Sequence, residues 1–345
     1  MPNQTIYNAF PDLEAVAAQL YTESCPDRPS IREYAAGLEA QGRLTPAVAE
    51  AVKKAETMRF HSDCIVYIAG GLTGVSEELK ERYGATSQLL KSYGAVADDS
   101  ETMAFFGYVP HLHGTDPIKH PDVSPQEVRD IDFLWSAITA DLHVNFLDPV
   151  AHGNAIEEAW GESRLIPTIY LNTDGNVLSR LTRGMHNVAE SIHYSEFAES
   201  EDPTKKSAMG GLRLAFDELF AWMQHFPGRD PREFFYNGFK RLANPVAVLN
   251  GQEPRPGLTI TELGERFDLR QFAIYNRGAG DTYGQVGRIT DVHEYTGITV
   301  TFKSGEARLF DPLSTHVLSF WPIKPGSYLE YDLAQLRPGE IPDPE

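Results

Sequence analysis

Glu157 is the residue of this sequence whose surroundings best suit chemistry. It closes the stretch Asp148-Pro149-Val150-Ala151-His152-Gly153-Asn154-Ala155-Ile156-Glu157, which lies between apolar runs at 142–147 and 166–171. Two buried parallel strands need a crossover between them, so strand, turn, short helix, strand is the economical reading, with Pro149 and Gly153 punctuating the turn. Glu157 then falls in the first turns of the helix, where the macrodipole favours a carboxylate. It also sits at the carboxyl edge of a parallel sheet, where open α/β folds bind ligands. Asp132, on the helix before the same strand, can approach the same place. Two carboxylates converging there can divide into nucleophile and proton handler once their environments separate their pKa values. The alternative for both is a solvated helix acid, the usual state of Asp and Glu.

Two other stretches carry polar or glycine signals. Gly70-Gly71-Leu72-Thr73-Gly74 follows the apolar run Cys64-Ile65-Val66-Tyr67-Ile68-Ala69 and precedes a helical pattern through Leu79, Tyr83 and Leu89. A glycine turn there lets a ligand approach the backbone closely, although the dinucleotide spacing G-x-G-x-x-G is absent and a plain tight turn explains it equally well. The stretch His111-Leu112-His113-Gly114-Thr115-Asp116-Pro117-Ile118-Lys119-His120 offers metal-ligating residue types. No helix supplies the rigid spacing of a zinc motif, and the prolines are expected to hold the segment extended; ordinary loop structure and substrate contact compete with metal here.

The elements that must position these residues follow from periodicity. Residues 1–60 read as a helical arm, with a capping box at Ser30-Ile31-Arg32-Glu33 and Thr45-Pro46 as cap and first helical residue. Its expected role is packing or oligomerisation. A strand buried on both faces is expected at 64–69, with further strands within 102–110 and at 142–147 and 166–171, and a helix opened by Ser124-Pro125-Gln126-Glu127 and running to about Asp141. A short helix is expected over 177–184. A charged linker follows at 196–206, then a helical segment over 207–250 whose stripe includes Leu212, Phe216, Leu219, Phe239 and Leu242. From about 265 the texture is β, with strands expected at 285–292, 297–302 and 307–310, separated by tight turns. The fold class expected is α/β: a doubly wound parallel sheet over 61–195, the helical arm, the helical segment, and a small SH3-like, barrel-like β domain over 262–335.

Totals bound the function. The chain has 345 residues, 41% apolar and 23% charged, with a formal net charge of −19. That charge disfavours a long nucleic acid, whose binding leans on phosphate neutralisation, but leaves room for a single nucleotide in a local pocket. No apolar run is long enough to cross a membrane, and no secretory signal is expected. The two cysteines, Cys25 and Cys64, cannot make a disulfide framework, which fits a reduced, cytoplasmic protein.

Residues 63–190 resemble the nucleoside 2-deoxyribosyltransferase-like superfamily, nearest its 2'-deoxynucleoside 5'-phosphate N-hydrolase branch. Val66 to Gly74 looks like the family's first strand and glycine turn. Gly153-Asn154-Ala155-Ile156-Glu157 is similar to its G-x-G-x-E element, with Ala155 for the second glycine. The segment from Gly175 to Gly184 looks like the one that a neighbouring subunit lends to the site. The resemblance implies an N-glycosidase or deoxyribosyltransferase working on a nucleoside or nucleoside 5'-phosphate, without cofactor or metal, as a homo-oligomer. By it Glu157 is the nucleophile, Asp132 binds the sugar or assists the leaving base, and Tyr67 orients Glu157. Gly70, Gly71, His111 and Gly153 fall on the substrate side, and Ser179 would meet a 5'-phosphate across a dimer interface. Thr73 and Ala151 stand where that branch has an arginine and a serine, so Arg180, Arg183 or the 111–120 segment are the substitutes for phosphate recognition. The interval from Asp132 to Asp141 is one residue longer than the family's, which makes Asp130 a rival for Asp132. The competing reading is a catalytically silent nucleotide-binding sensor or interaction module.

Overall fold

The computed structural model describes residues 26–236 and 269–322, apart from 72–74, 97–101, 117–120, 149–151, 174–178, 180–181, 183–184, 186, 200–205, 226, 277–281, 283–284, 294–296 and 311–317. Thr73, His120, Ala151, Arg180, Arg183, Phe239 and Leu242 lie outside the described residues, as do most of the helix expected at 177–184 and the end of the segment expected to reach 250. The chain divides into two compact units, one of residues 26–235 and one that contains the C-terminal sheet.

The first unit is built on a five-stranded, all-parallel sheet. Its strands are β1 (Ser62–Ala69), β2 (Met103–Tyr108), β3 (Leu142–Phe146), β4 (Thr168–Thr173) and β5 (Val188–Tyr194), in the spatial order β2-β1-β3-β4-β5. The strand order reverses beside β1, so the switch point of a doubly wound sheet falls between β1 and β3. The central strands are almost wholly buried, β1 by its apolar run 64–69 and β3 with His143 and Asn145 enclosed among apolar residues. β5 was not expected; Val-Ala-Glu-Ser-Ile-His-Tyr alternates polar and apolar residues and reads weakly as a strand because it forms the sheet's edge.

Helices cover both faces. Helix α1 (Ile31–Ala40) and helix α2 (Pro46–His61) are capped by Ser30 and Thr45 as the sequence indicates, but they do not stand apart as an arm. Leu38, Val48 and Ala55 enter one core with Ile65, Tyr67, Phe106, Tyr108, Trp135 and Ile138. Burial of such residues, each worth about 1.5–3 kcal/mol, makes these helices part of the sheet unit. The opposite face is covered by helix α3 (Glu77–Lys91) and by helix α7 (Ala208–His225), whose Phe216 ring lies 5.3 Å from that of Phe105. The helical segment after the charged linker is therefore a layer of this unit.

Three local differences bear on the site. Pro110 opens a helical turn, α4 (Pro110–His113), where an extended loop was expected, because proline at the first helical position forfeits no hydrogen bond. Helix α5 (Pro125–Phe133) starts with the expected capping box, Ser124 and Glu127 bonding each other's backbone at 3.3 and 2.8 Å. It then passes into a π-helical turn, Leu134–Thr139, rather than running on as α-helix. The Ala140 amide donates to the Trp135 carbonyl at 3.0 Å and the Thr139 hydroxyl to the Leu134 carbonyl at 2.8 Å. A π turn absorbs one extra residue without breaking the helix, and such turns concentrate at functional sites. Helix α6 (His152–Ser163) then links β3 to β4, and a short α8 (Arg232–Tyr236) ends the unit's helices.

In the second unit, β6 (Phe272–Asn276), β7 (Val286–His293), β8 (Gly297–Phe302), β9 (Ala307–Phe310) and β10 (Leu318–Pro322) form an antiparallel sheet in the order β10-β6-β7-β8-β9. Phe272, Ile274, Ile289, Ile298, Val300, Phe302 and Leu318 make its core.

Candidate functional site

Strand alternation assembles the site's floor. Tyr67 on β1 pairs in register with Tyr108 on β2 and with His143 on β3, so all three rings share one face of the sheet. The Tyr67 and Tyr108 rings stack at 5.6 Å, Trp135 of the π turn stacks on Tyr108 at 4.3 Å, and His113 does so at 5.0 Å. Tyr67 and Tyr108 are wholly buried. This aromatic layer gives whatever lies on it a dry, low-dielectric underside.

Two carboxylates lie on it. Glu157 comes from α6 and Asp132 from the last turn of α5. Glu157 Oε2 and Asp132 Oδ1 are completely buried, and neither closes a hydrogen bond with a described residue. Burial pushes the Glu157 carboxyl well above its ordinary pKa, the Asp132 charge pushes it further, and the Tyr67 hydroxyl pulls it back. Burial raises Asp132 to about 7, against a smaller pull from the Thr115 hydroxyl. Two carboxylates so close in so dry a place cannot both ionise at neutral pH, so the pair holds a proton. Burial raises the Tyr67 phenol well above its ordinary pKa, and the Glu157 and Asp132 charges raise it further.

A tight backbone contact sets the height of Glu157. Gly161 lies one helical turn beyond it on the same face, and a Cβ there would come within 2.8 Å of the His143 ring. His143 cannot yield, because its Nε2 lies 2.7 Å from the Ser136 carbonyl and burial holds the ring neutral, with its pKa lowered to about 4. Gly161→Ala is expected to lift α6 off the sheet. An alanine gains about 1 kcal/mol of helix propensity, but overpacking costs about 1–3 kcal/mol. The net result is a small loss of stability, read by thermal melting, and a larger loss of any activity that needs Glu157 in place.

The structure places the other sequence-derived residues as follows. Gly70 and Gly71 follow β1; the Tyr83 ring presses against Gly70, leaving no room for a Cβ, and its hydroxyl donates to the Gly71 carbonyl at 3.1 Å. Tyr83 in turn feels the charge of Glu157, so this turn borders the carboxylate pair. His111 is buried with its ring 5.9 Å from that of Tyr83. His113 faces another way: its Nδ1 lies 2.9 Å from the Val109 carbonyl, and burial lowers its pKa to about 4. No group of three or more metal-ligating side chains occurs among the described residues. Gly153 is exposed on the first turn of α6. Ser179 is exposed and bonds Thr182, whose hydroxyl is 2.9 Å away.

Asp130, the rival acid, belongs to the scaffold. Its carboxylate is gripped by Arg43 and lies 3.1 Å from Arg129, while the Tyr34 hydroxyl donates to its carbonyl at 3.0 Å.

Sequence reasoning passed over Tyr108, Thr115, Tyr83 and Asn145. Asn145, in register with Ala69 and Tyr170, is 1% exposed with both ends of its carboxamide unbonded. A polar residue in an otherwise apolar strand was the available signal. Tyr108 and Thr115 carried none, since a tyrosine in a strand and a threonine in a turn are ordinary.

No family model matches this chain, and no curated protein does. Among solved structures, a CMP N-glycosidase from Clostridium botulinum aligns at a TM-score of 0.29 and 18% identity, covering 44% of this chain and 98% of that one.

Proposed function

We propose that this protein cleaves or transfers the N-glycosidic bond of a nucleoside or nucleoside 5'-phosphate through Glu157. The observation that carries the proposal is the pair of acids, Glu157 and Asp132, with Glu157 Oε2 and Asp132 Oδ1 buried and the Asp132 charge raising the Glu157 carboxyl, at the carboxyl end of a parallel sheet beside its switch point. The motif resemblance around Gly70, Gly153 and Glu157 supplies the substrate class.

Breaking a C1'–N bond develops oxocarbenium character at the sugar. A Glu157 oxygen attacks C1', the C1'–N bond breaks, and the base leaves with the proton that Asp132 holds. Water, or a second base, then forms the new bond to C1' as the Glu157 ester breaks, and its proton returns to Asp132. Tyr67 steadies the Glu157 carboxylate. Gly70, Gly71, His111 and Gly153 line the substrate side, and Ser179, turned outward here, serves a neighbouring subunit in a homo-oligomer. The unit that does this spans 61–195 with α1 and α2 packed on it.

The test is chromatography of free base after incubation with a panel of ribo- and deoxyribonucleosides and their 5'-monophosphates. Release is expected to fall at alkaline pH, because activity needs the proton that the Glu157 and Asp132 carboxyls share and is lost with it. Tight binding of a nucleotide without release would instead favour a sensor.

A further inference from the structure

We propose that Asn145 is a specificity-determining residue whose carboxamide binds the 2'-hydroxyl of a ribose, making the substrate a ribonucleoside or its 5'-phosphate. The proposal rests on the reading of Glu157 as the nucleophile at C1'. Asn145 is 1% exposed, and neither its Oδ1 nor its Nδ2 has a hydrogen-bond partner. A carboxamide brings two donors and two lone pairs, and burying them unpaired disfavours the fold. A ligand that supplies the partners offsets that loss.

Two fixed points place Asn145 beneath Glu157. At the end of β3 the Asn154 side chain donates to the Phe146 carbonyl at 3.0 Å, and further back Gly161 lies against the His143 ring. Seven residues of helix and three of strand each span about 10 Å, so α6 runs back over β3 in step with it. Glu157, between Asn154 and Gly161, therefore stands over residue 145. The pleat agrees. Phe146 packs on the Tyr83 ring of α3 at 4.8 Å, so Asn145 turns to the other face, where the Tyr67 and His143 rings lie 5.3 Å apart.

The sheet neighbours of Asn145 do not claim its carboxamide. Ala69 on β1 has no polar side chain, and the Tyr170 hydroxyl on β4 lies 3.6 Å from Met185 Sδ. Asn154 Oδ1 and Glu157 Oε2 are buried and unpartnered as well, so polar atoms of three residues gather where α6 crosses the end of β3. Glu157 as a residue is only half-buried, which leaves a sugar its approach on that side. The hydroxyl nearest an anomeric carbon is the one on C2', and its hydrogen bonds strengthen as oxocarbenium character develops. With one proton and two lone pairs, that hydroxyl can serve the carboxamide's acceptor and donor together.

The experiment measures base release from matched ribo- and deoxyribonucleoside 5'-monophosphates by wild type, Asn145→Ala and Asn145→Ser. Wild type is expected to prefer the ribose by at least about tenfold in kcat/KM, because deoxyribose leaves the buried carboxamide unpaired. Either variant should lower kcat/KM on the ribose about tenfold and leave that on the deoxyribose nearly unchanged. A merely structural asparagine would move both alike. Serine loses less volume and keeps the test readable if alanine impairs folding. Equal release from both sugars by wild type, better release from the deoxyribose, or a ratio unchanged in the variants overturns the proposal and leaves the glycosidic reading standing. Absence of any release by wild type sinks that reading instead, and calorimetric binding of the same pairs then decides the role of Asn145. Tighter ribose binding that Asn145→Ala abolishes upholds it; equal or absent binding of the two sugars overturns it.

Discussion

Glu157→Gln is expected to abolish base release while making the protein more heat-stable at alkaline pH. Loss of a nucleophile that forms a covalent intermediate removes about 10⁴-fold or more of the rate, and binding alone cannot replace it. The stability effect has the opposite sign. The folded-state pKa of Glu157 lies well above its ordinary value, and that of Asp132 is raised to about 7. A carboxyl raised in this way contributes stability that is complete below its unfolded pKa, near 4, and is lost as pH rises through the folded value. As pH rises through the folded values of the two carboxyls, the wild type therefore takes on buried negative charge that disfavours the fold. The amide removes one of the two charges, so the Tm difference between Glu157→Gln and wild type should be positive at pH 8 and should shrink towards pH 4. Calorimetry at those two pH values checks it. A variant less stable than wild type at pH 8 would show that the carboxylate is compensated in place, and would remove the strained acid pair from the argument. Loss of function joined to gained stability is the mark of a site held against its own folding preference.

The second large effect lies at the opposite end of the sheet. Asp141→Ala is expected to cost about 3–5 kcal/mol without touching the site's chemistry. The Asp141 carboxylate is fully buried at the start of β3. Its Oδ1 lies 2.6 Å from Arg28, its Oδ2 lies 2.7 Å from Arg59, and the Ile65 amide donates to Oδ2 at 2.7 Å. Arg28 continues at 3.0 Å to Asp230, whose carboxyl stays well below the usual range despite burial because Arg232 and Arg28 flank it. One carboxylate thus ties α2, β1, β3 and the segment before α8 together. Cutting it out strands two partly buried guanidinium groups and one backbone amide. Both arginines retain some contact with water, at 28% and 21% exposure, which puts the expected cost at the lower end of the range. A unit of this size should lose about 2–4 °C of Tm for each kcal/mol. Urea unfolding of Asp141→Ala and Asp141→Asn checks this; the asparagine, which keeps an acceptor for Ile65, should recover part of the loss. Base release by the folded fraction should be unaffected.

Much of this architecture is legible in the chain itself, for reasons that are local. Ser30, Thr45 and Ser124 announce helix starts because a side-chain oxygen must take up a free amide, and each does. Strand β1 is legible because 64–69 is a continuous apolar run suited to burial on both faces. Glu157 is legible because a carboxylate after a glycine turn, between two such runs, has few places to be. What stays hidden is set by partners distant in sequence. Asp130 and Asp132 are two positions apart on one helix, and no spacing rule separates them; Arg43, 87 residues away, claims the first and leaves the second to Glu157. The π turn has no residue signature, since it arises from fitting one extra residue between α5 and a strand whose register is already fixed. Helices α1 and α2 read as an arm because an amphipathic stripe does not say which surface it will meet. The sequence by itself determined where α1, α2, α3, α5 and the strands from β1 to β4 lie and which acid was worth following, because those follow from neighbours a few residues away. Tertiary structure alone decided which second acid joins it and how dry the pair becomes, because desolvation and charge coupling depend on distances through space that no local pattern encodes.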